Sequence, residues 1–303
     1  MKLSGFSILF LLVLFSVPAN GAVILGPESR VSPVSYGPAL LQNAAFASDG
    51  RDSLAVGTVG ARVVAVRVSG AGSPLDPNGI EVFRSLEPGY LIGCWWNGAT
   101  YVVTWTLYRG RPEGSGSFET FTTRISRDGI AEPPRRISVV SADRLYPVVA
   151  GATRQIQIYE ISHRLYAILY DSELNELGRG IPIPGGRGQG NASVASSGHS
   201  FLVAWEDFKP PGYDVWATRL TDEGVPLDGE GIYLGRTTGE ISGAGTQPRS
   251  LWNGVRWIVA WNEEGIISRA IEENGVPGTP VRVDRITSSV ELRLSTWGIA
   301  GAR

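Results

Sequence analysis

Apolar residues along this chain come in short runs, alternating with polar positions or continuous, and each run is closed by Gly, Asn, Asp or Pro. Val, Ile, Tyr, Trp and Thr dominate these runs, the composition and spacing of β-strands. Beyond the N-terminal segment no stretch sustains an apolar stripe at helical spacing, so the chain is expected to be almost entirely β. The runs return in a fixed order about every fifty residues. One half of the motif is a Gly turn and a strand ending in Trp: Asn97-Gly98 leading to Trp105, Gly198 to Trp205, Asn253-Gly254 to Trp261. The other half is an Arg strand and a second Gly turn: Arg124 to Gly129, Arg219 to Gly224, Arg269 to Gly275. Units of this length stack to bury one another's faces, and four strands per unit make the blade of a β-propeller.

Aligning the motif gives five complete units, at residues 42–82, 90–140, 146–183, 191–234 and 247–283. The third is degenerate: Gln155-Ile156-Gln157-Ile158-Tyr159 replaces the Trp-ended strand and Leu169-Tyr170-Asp171 the Arg strand. Residues 289–298 match the first strand of a sixth unit, which Val23-Ile24-Leu25 or Arg30-Val31-Ser32 would help complete, closing the ring and covering its edges. A five-bladed ring with an appended strand, and a truncated gene product, are the other readings of this ending. Asn97-Gly98 and Asn253-Gly254 are expected to form two-residue turns between first and second strands. Gly129, Gly224 and Gly275 turn the chain between third and fourth strands on the same face. The opposite face then carries the variable connections, longest at 106–118 and 206–213, together with the links 87–89, 185–190 and 235–246. Variable loops on a fixed scaffold are where function concentrates.

The segments Trp205-Glu206-Asp207, Asp214-Val215-Trp216-Ala217-Thr218-Arg219-Leu220 and Leu227-Asp228-Gly229-Glu230-Gly231-Ile232 resemble the poorly characterised secreted bacterial β-propellers with a Trp-ended strand, an Asp-x-x-Ala-x-Arg strand and a Gly turn. The resemblance covers nearly the whole chain after residue 21, with the third repeat departing from it. It implies a propeller and no particular activity.

Residues 1–21 read as a secretory signal: Lys2, an apolar run from Phe6 to Phe15, then Ser16-Val17-Pro18-Ala19-Asn20-Gly21. The expected mature product is a single propeller domain over 22–303, exported to the periplasm or the medium and not inserted in the membrane. Cys94 is the only cysteine, so the fold must stand without an intramolecular disulfide. A net charge of −2 gives no basic excess for nucleic acid.

Repetition at one structural position marks Trp105, Trp205 and Trp261 as core, and Arg67, Arg124, Arg219 and Arg269 as structural hydrogen-bond donors. The acids Glu206, Asp207, Glu263 and Glu264 are expected on peripheral loops, where paired carboxylates suit glycoside hydrolysis. The innermost strands carry no Asp or Glu, which argues against a channel-centred hydrolase. What they offer at the channel mouth is Asn43, Tyr90, Tyr146, Asn191, Gln247 and Arg249, a ring suited to hydrogen bonding and stacking on an uncharged ligand such as a sugar. His163 and His199 lie in different repeats, which supports neither a metal cluster nor a catalytic triad. Residues 185–190 mimic a phosphate loop without the Lys-Ser/Thr or a following helix. Asn191-Ala192-Ser193 fits a glycosylation acceptor in a eukaryotic host. No catalytic residue, metal or cofactor is assigned. The reading is a non-catalytic module binding protein or glycan; the alternatives are a carbohydrate-active hydrolase using the loop acids and a structural module of an extracellular assembly.

Overall fold

The computed structural model of the protein describes residues 42–59, 61–85, 89–110, 116–186, 188–237, 247–263 and 265–284. Within them the chain forms five antiparallel sheets, each a meander whose strands follow chain order, and no helix. The first sheet holds β1 (Gln42–Ser48), β2 (Ser53–Val59), β3 (Arg62–Val68) and β4 (Ile80–Arg84). The second holds β5 (Gly89–Trp96), β6 (Tyr101–Arg109), β7 (Ser117–Ile125) and β8 (Arg135–Val140). In the third, β9 (Arg144–Leu145) and β10 (Val149–Ala150) together form an interrupted inner strand against β11 (Gln155–Ile161), followed by β12 (Arg164–Tyr170) and β13 (Glu176–Pro182). The break falls at Pro147, which has no N–H to give the ladder. The fourth is β14 (Gln189–Ser196), β15 (Ser200–Lys209), β16 (Gly212–Thr221) and β17 (Ile232–Thr237). The fifth is β18 (Arg249–Trp252), β19 (Trp257–Asn262), β20 (Ile266–Ile271) and β21 (Val281–Asp284). The proposed signal and the segments offered for a sixth unit lie outside the described residues.

Alternation along the second strands sends successive residues to opposite faces, and in the second, third and fourth sheets each face meets a neighbouring sheet. Four apolar clusters result, one per consecutive pair of sheets. Tyr101, Val103 and Trp105 pack with Leu54, Val56 and Ala65 of the first sheet, while Val102 joins Tyr159, Ile168 and Tyr170 of the third. Phe201, Val203 and Trp205 meet Ile156, Ile158 and Leu169, while Leu202 and Ala204 meet Trp257, Val259 and Trp261 of the fifth. Trp105, Trp205 and Trp261 are buried, as their repetition predicts. This face-to-face stacking of sequential meanders is the propeller arrangement.

The repeated arginine and glycine form a stitch between sheets. Arg67 donates to the Arg127 carbonyl in the second sheet's Gly129 turn, and Arg219 donates to the Glu273 carbonyl in the fifth sheet's Gly275 turn. Gly129, Gly224 and Gly275 have φ of +84°, +80° and +89°, and a Cβ on them would strike Arg67, Leu169 and Arg219 within 3 Å. Leu169 stands where the degenerate third repeat lacks the arginine, so an apolar contact replaces the stitch there.

Two local expectations are corrected. The connections after Trp96 and Trp252 are four residues long rather than two, because Asn97 Oδ1 accepts from the Ala99 and Thr100 N–H at 2.9 and 2.8 Å, and Asn253 Oδ1 from Val255 and Arg256 at 3.0 and 2.9 Å. The side chain, rather than a tight backbone turn, satisfies the corner. The connection expected as a loop at 206–213 is strand: β15 runs to Lys209 and β16 starts at Gly212. Alternation continues through Phe208 and Tyr213, which pair across the hairpin, and the turn is confined to Pro210-Pro211.

Candidate functional site

The face bearing the second-to-third strand connections also holds the starts of the inner strands, since alternate connections of a meander share an end. On that face the inner strands carry an irregularity at one register. The ladder slips between Gln42 and Ala45, between Tyr90 and Gly93, and between Gly190 and Ser193. Leu91, Asn191 and Gln247 take left-handed φ of 55°, 44° and 43° at matching positions. A bulge with a residue in the αL region turns the strand start and re-aims its side chain.

Asn43, Asn191 and Gln247 fall at this matching position, Tyr90 precedes it by one residue in its sheet, and Arg249 follows it by two. Tyr146 lies just beyond β9 in the interrupted strand. The side chains of Asn43 and Tyr90 lie outside the description. Gln247 is half-buried, and Arg249 donates to the Pro248 carbonyl at 3.1 Å. The structure brings two members of this ring, Tyr146 and Asn191, into one polar network.

That network spans the third and fourth sheets. Asn191 Nδ2 donates to Glu206 Oε1 at 2.5 Å, and Arg144 Nη1 donates to Asn191 Oδ1. Tyr146 donates its hydroxyl to Glu160 Oε2 at 3.2 Å. Glu160 and Glu206 are each only 6% exposed. Burial by itself would lower the Arg144 guanidinium, yet Tyr146, Glu160 and Glu206 around it raise it above its ordinary value. Burial pushes the Tyr146 phenol up. His163, 79% exposed at its side chain, places Nδ1 3.4 Å from Glu160 Oε1 at the outer edge of the network.

Glu160 and Glu206 occupy the same position of adjacent repeats. Glu160 pairs with Arg144 and Glu206 with Gly190, each at the outer end of its inner strand. The matching positions elsewhere are Thr58, Thr106 and Asn262, a polar residue in every sheet. This corrects two expectations. Glu206 is not on a peripheral loop but buried in β15, bonded to an inner-strand residue. The second strands bring Glu160 and Glu206 beside the starts of the inner strands, so acid-free inner strands do not exclude carboxylates there. Glu160 and Arg144 escaped the sequence reading; the signal that finds them is Tyr159-Glu160 standing where the fourth repeat has Trp205-Glu206.

The remaining acids separate from this group. Asp207 faces the third sheet, opposite Asp214, with Lys209 Nζ 3.6 and 3.0 Å from their carboxylates. Burial pushes the Asp207 carboxyl above the ordinary range against the pull of Lys209. Glu263 follows β19 and accepts from Trp261 Nε1 at 3.4 Å, while Glu264 lies outside the described residues. Among the described residues no group of three or more His, Cys, Asp or Glu is placed to hold a metal ion, and no helix is long and apolar enough to cross a membrane.

The chain is therefore of the all-β, propeller-like class. No family model matches it, and no curated protein sequence does. Among solved structures it is similar to the GH43 protein BlXynB of Bacillus licheniformis, at 12% identity over 80% of this chain and 55% of that one, with a TM-score of 0.45. A GH43 endo-arabinanase from Bacillus licheniformis is similar at 11% identity over 80% of this chain and 98% of that one, TM-score 0.46. The apocarotenoid oxygenase of Synechocystis is similar at 8% identity over 76% and 57%, TM-score 0.43.

Proposed function

We propose that the chain is an exported, carbohydrate-directed propeller whose site is the network at the channel mouth between the third and fourth sheets. The observation that carries this reading is the assembly of Arg144, Tyr146, Glu160, Asn191 and Glu206 from two sheets at one end of the inner strands. Donors and acceptors fixed on strands match the pattern of hydroxyls on a sugar. Glycan recognition is the function this arrangement supports with the fewest requirements.

Hydrolysis is the second reading, favoured by one observation: two carboxylates, Glu160 and Glu206, stand on adjacent sheets at equivalent positions. A pair of carboxyl groups flanking the scissile bond is what glycoside hydrolysis requires. One experiment separates the readings. Purified protein is screened on a glycan array, and Glu160→Gln and Glu206→Gln are assayed for both retention and cleavage of the glycan bound. A hydrolase loses turnover by a factor of about a thousand or more while still binding; a recognition module shows no turnover in any form and loses affinity. Absence of binding to every glycan overturns both.

A further inference from the structure

The second-strand hairpins are not of equal height. In the first, third and fifth sheets the ladder closes at Val59–Arg62, Ile161–Arg164 and Asn262–Ile266. In the second it continues through Tyr108–Phe118 to Arg109–Ser117, and in the fourth through Phe208–Tyr213 to Lys209–Gly212. Two more residue pairs than in the first and third sheets, and three more than in the fifth, raise these tips by about 7–10 Å above their neighbours. The low third sheet, ending in the tight Ser162-His163 turn, thus lies between two raised walls on the face that carries the polar network.

The walls differ in chemistry. Phe118 packs on the cluster shared by the second and third sheets, and Thr120, on the same face of β7, bonds Gln157 of the third sheet at 3.3 Å. Tyr108 and Phe118 therefore face the trough, with ring centroids 5.0 Å apart and Tyr108 41% exposed. On the opposite wall Asp207 and Lys209 share the face of Trp205, which packs on the third sheet, and Lys209 Nζ stands 5.4 Å from the Trp216 ring. Lys209 lies between Asp207 and Asp214, and Arg144 between Glu160 and Glu206, so two cations stand among four carboxylates. No positive excess is left for an anionic polymer.

We propose that this trough takes a run of several neutral sugar residues, so that the ligand is a polysaccharide chain lying across the third sheet rather than a terminal monosaccharide. Tyr108 supplies a stacking platform at one side, several residues from the hydrogen-bonding network at the channel mouth. The inference rests on the carbohydrate reading and can fail separately from it. The test is titration calorimetry with the neutral glycan class the array returns, supplied as pure oligosaccharides of one to six residues, on the full chain and on Tyr108→Ala and Tyr108→Phe. Affinity is expected to rise at least tenfold from the shortest to the longest ligand. Tyr108→Ala is expected to weaken the six-residue ligand by about three- to tenfold and leave a disaccharide unaffected, with Tyr108→Phe close to wild type. Tyr108→Phe keeps the ring pair with Phe118, so its thermal midpoint should not move. Binding that is independent of length and untouched by Tyr108→Ala overturns the trough while leaving the carbohydrate site standing. Absence of all glycan binding overturns the carbohydrate reading and the trough together.

Discussion

Glu206 shows how position changes the meaning of a residue. In sequence it follows a Trp-ended strand and precedes a Pro-Pro pair, the context of a solvated loop acid. In the fold it is buried and accepts from Asn191, and Arg144 of the neighbouring sheet completes the chain of contacts. Removing one partner of a buried hydrogen-bonded group leaves the other unsatisfied. Asn191→Ala is therefore expected to cost about 1–3 kcal/mol of stability as well as affinity, measured by denaturant unfolding. Trp205 is buried at the centre of the cluster between the third and fourth sheets. Truncation to Ala should destabilise by about 3–5 kcal/mol; a loss below about 1 kcal/mol would mean the ring is not core.

At the scale of the element, the Arg67 stitch gives a pH-dependent prediction. Burial would raise the Asp76 carboxyl, but hydrogen bonds from the Arg67 side chain and backbone outweigh it and hold the group below its ordinary 3.8. A depressed carboxyl contributes stability that is present above the ordinary value and lost as pH falls through the folded one. Asp76→Asn should thus cost about 2 kcal/mol at pH 7, with the difference from wild type shrinking as pH is taken below 3.8 in acid titrations of unfolding. A difference that persists unchanged into acid would show that the ion pair is not its source. The stitch was legible in sequence because Arg and Gly repeat at fixed spacing, and so were the strands and the core tryptophans. The hairpin heights were not: Glu206, Asp207 and Lys209 look like loop residues until Phe208 and Tyr213 are seen to pair across the ladder. The third repeat hid Glu160 for a related reason, since Tyr159 replaces the tryptophan that marks the position elsewhere.

For the whole molecule, the sheets act as a frame that brings residues distant in sequence to one rim. Arg144 and Asn191 meet only because the third and fourth sheets stack face to face on Ile156, Ile158, Val203 and Trp205. The proposed site is accordingly a property of the interface between two repeats, which explains why the ring of inner-strand residues included Tyr146 and Asn191, Glu206 read as a loop acid, and Arg144 and Glu160 were missed. This interface is the place where carbohydrate is expected to bind. Titration calorimetry of the array-selected glycan against wild type, Arg144→Ala and Glu206→Gln tests it most directly. Both variants are expected to lose at least tenfold in affinity with the folded state retained by circular dichroism. Wild-type affinity in both, in folded protein, would contradict it and place the ligand elsewhere on the molecule.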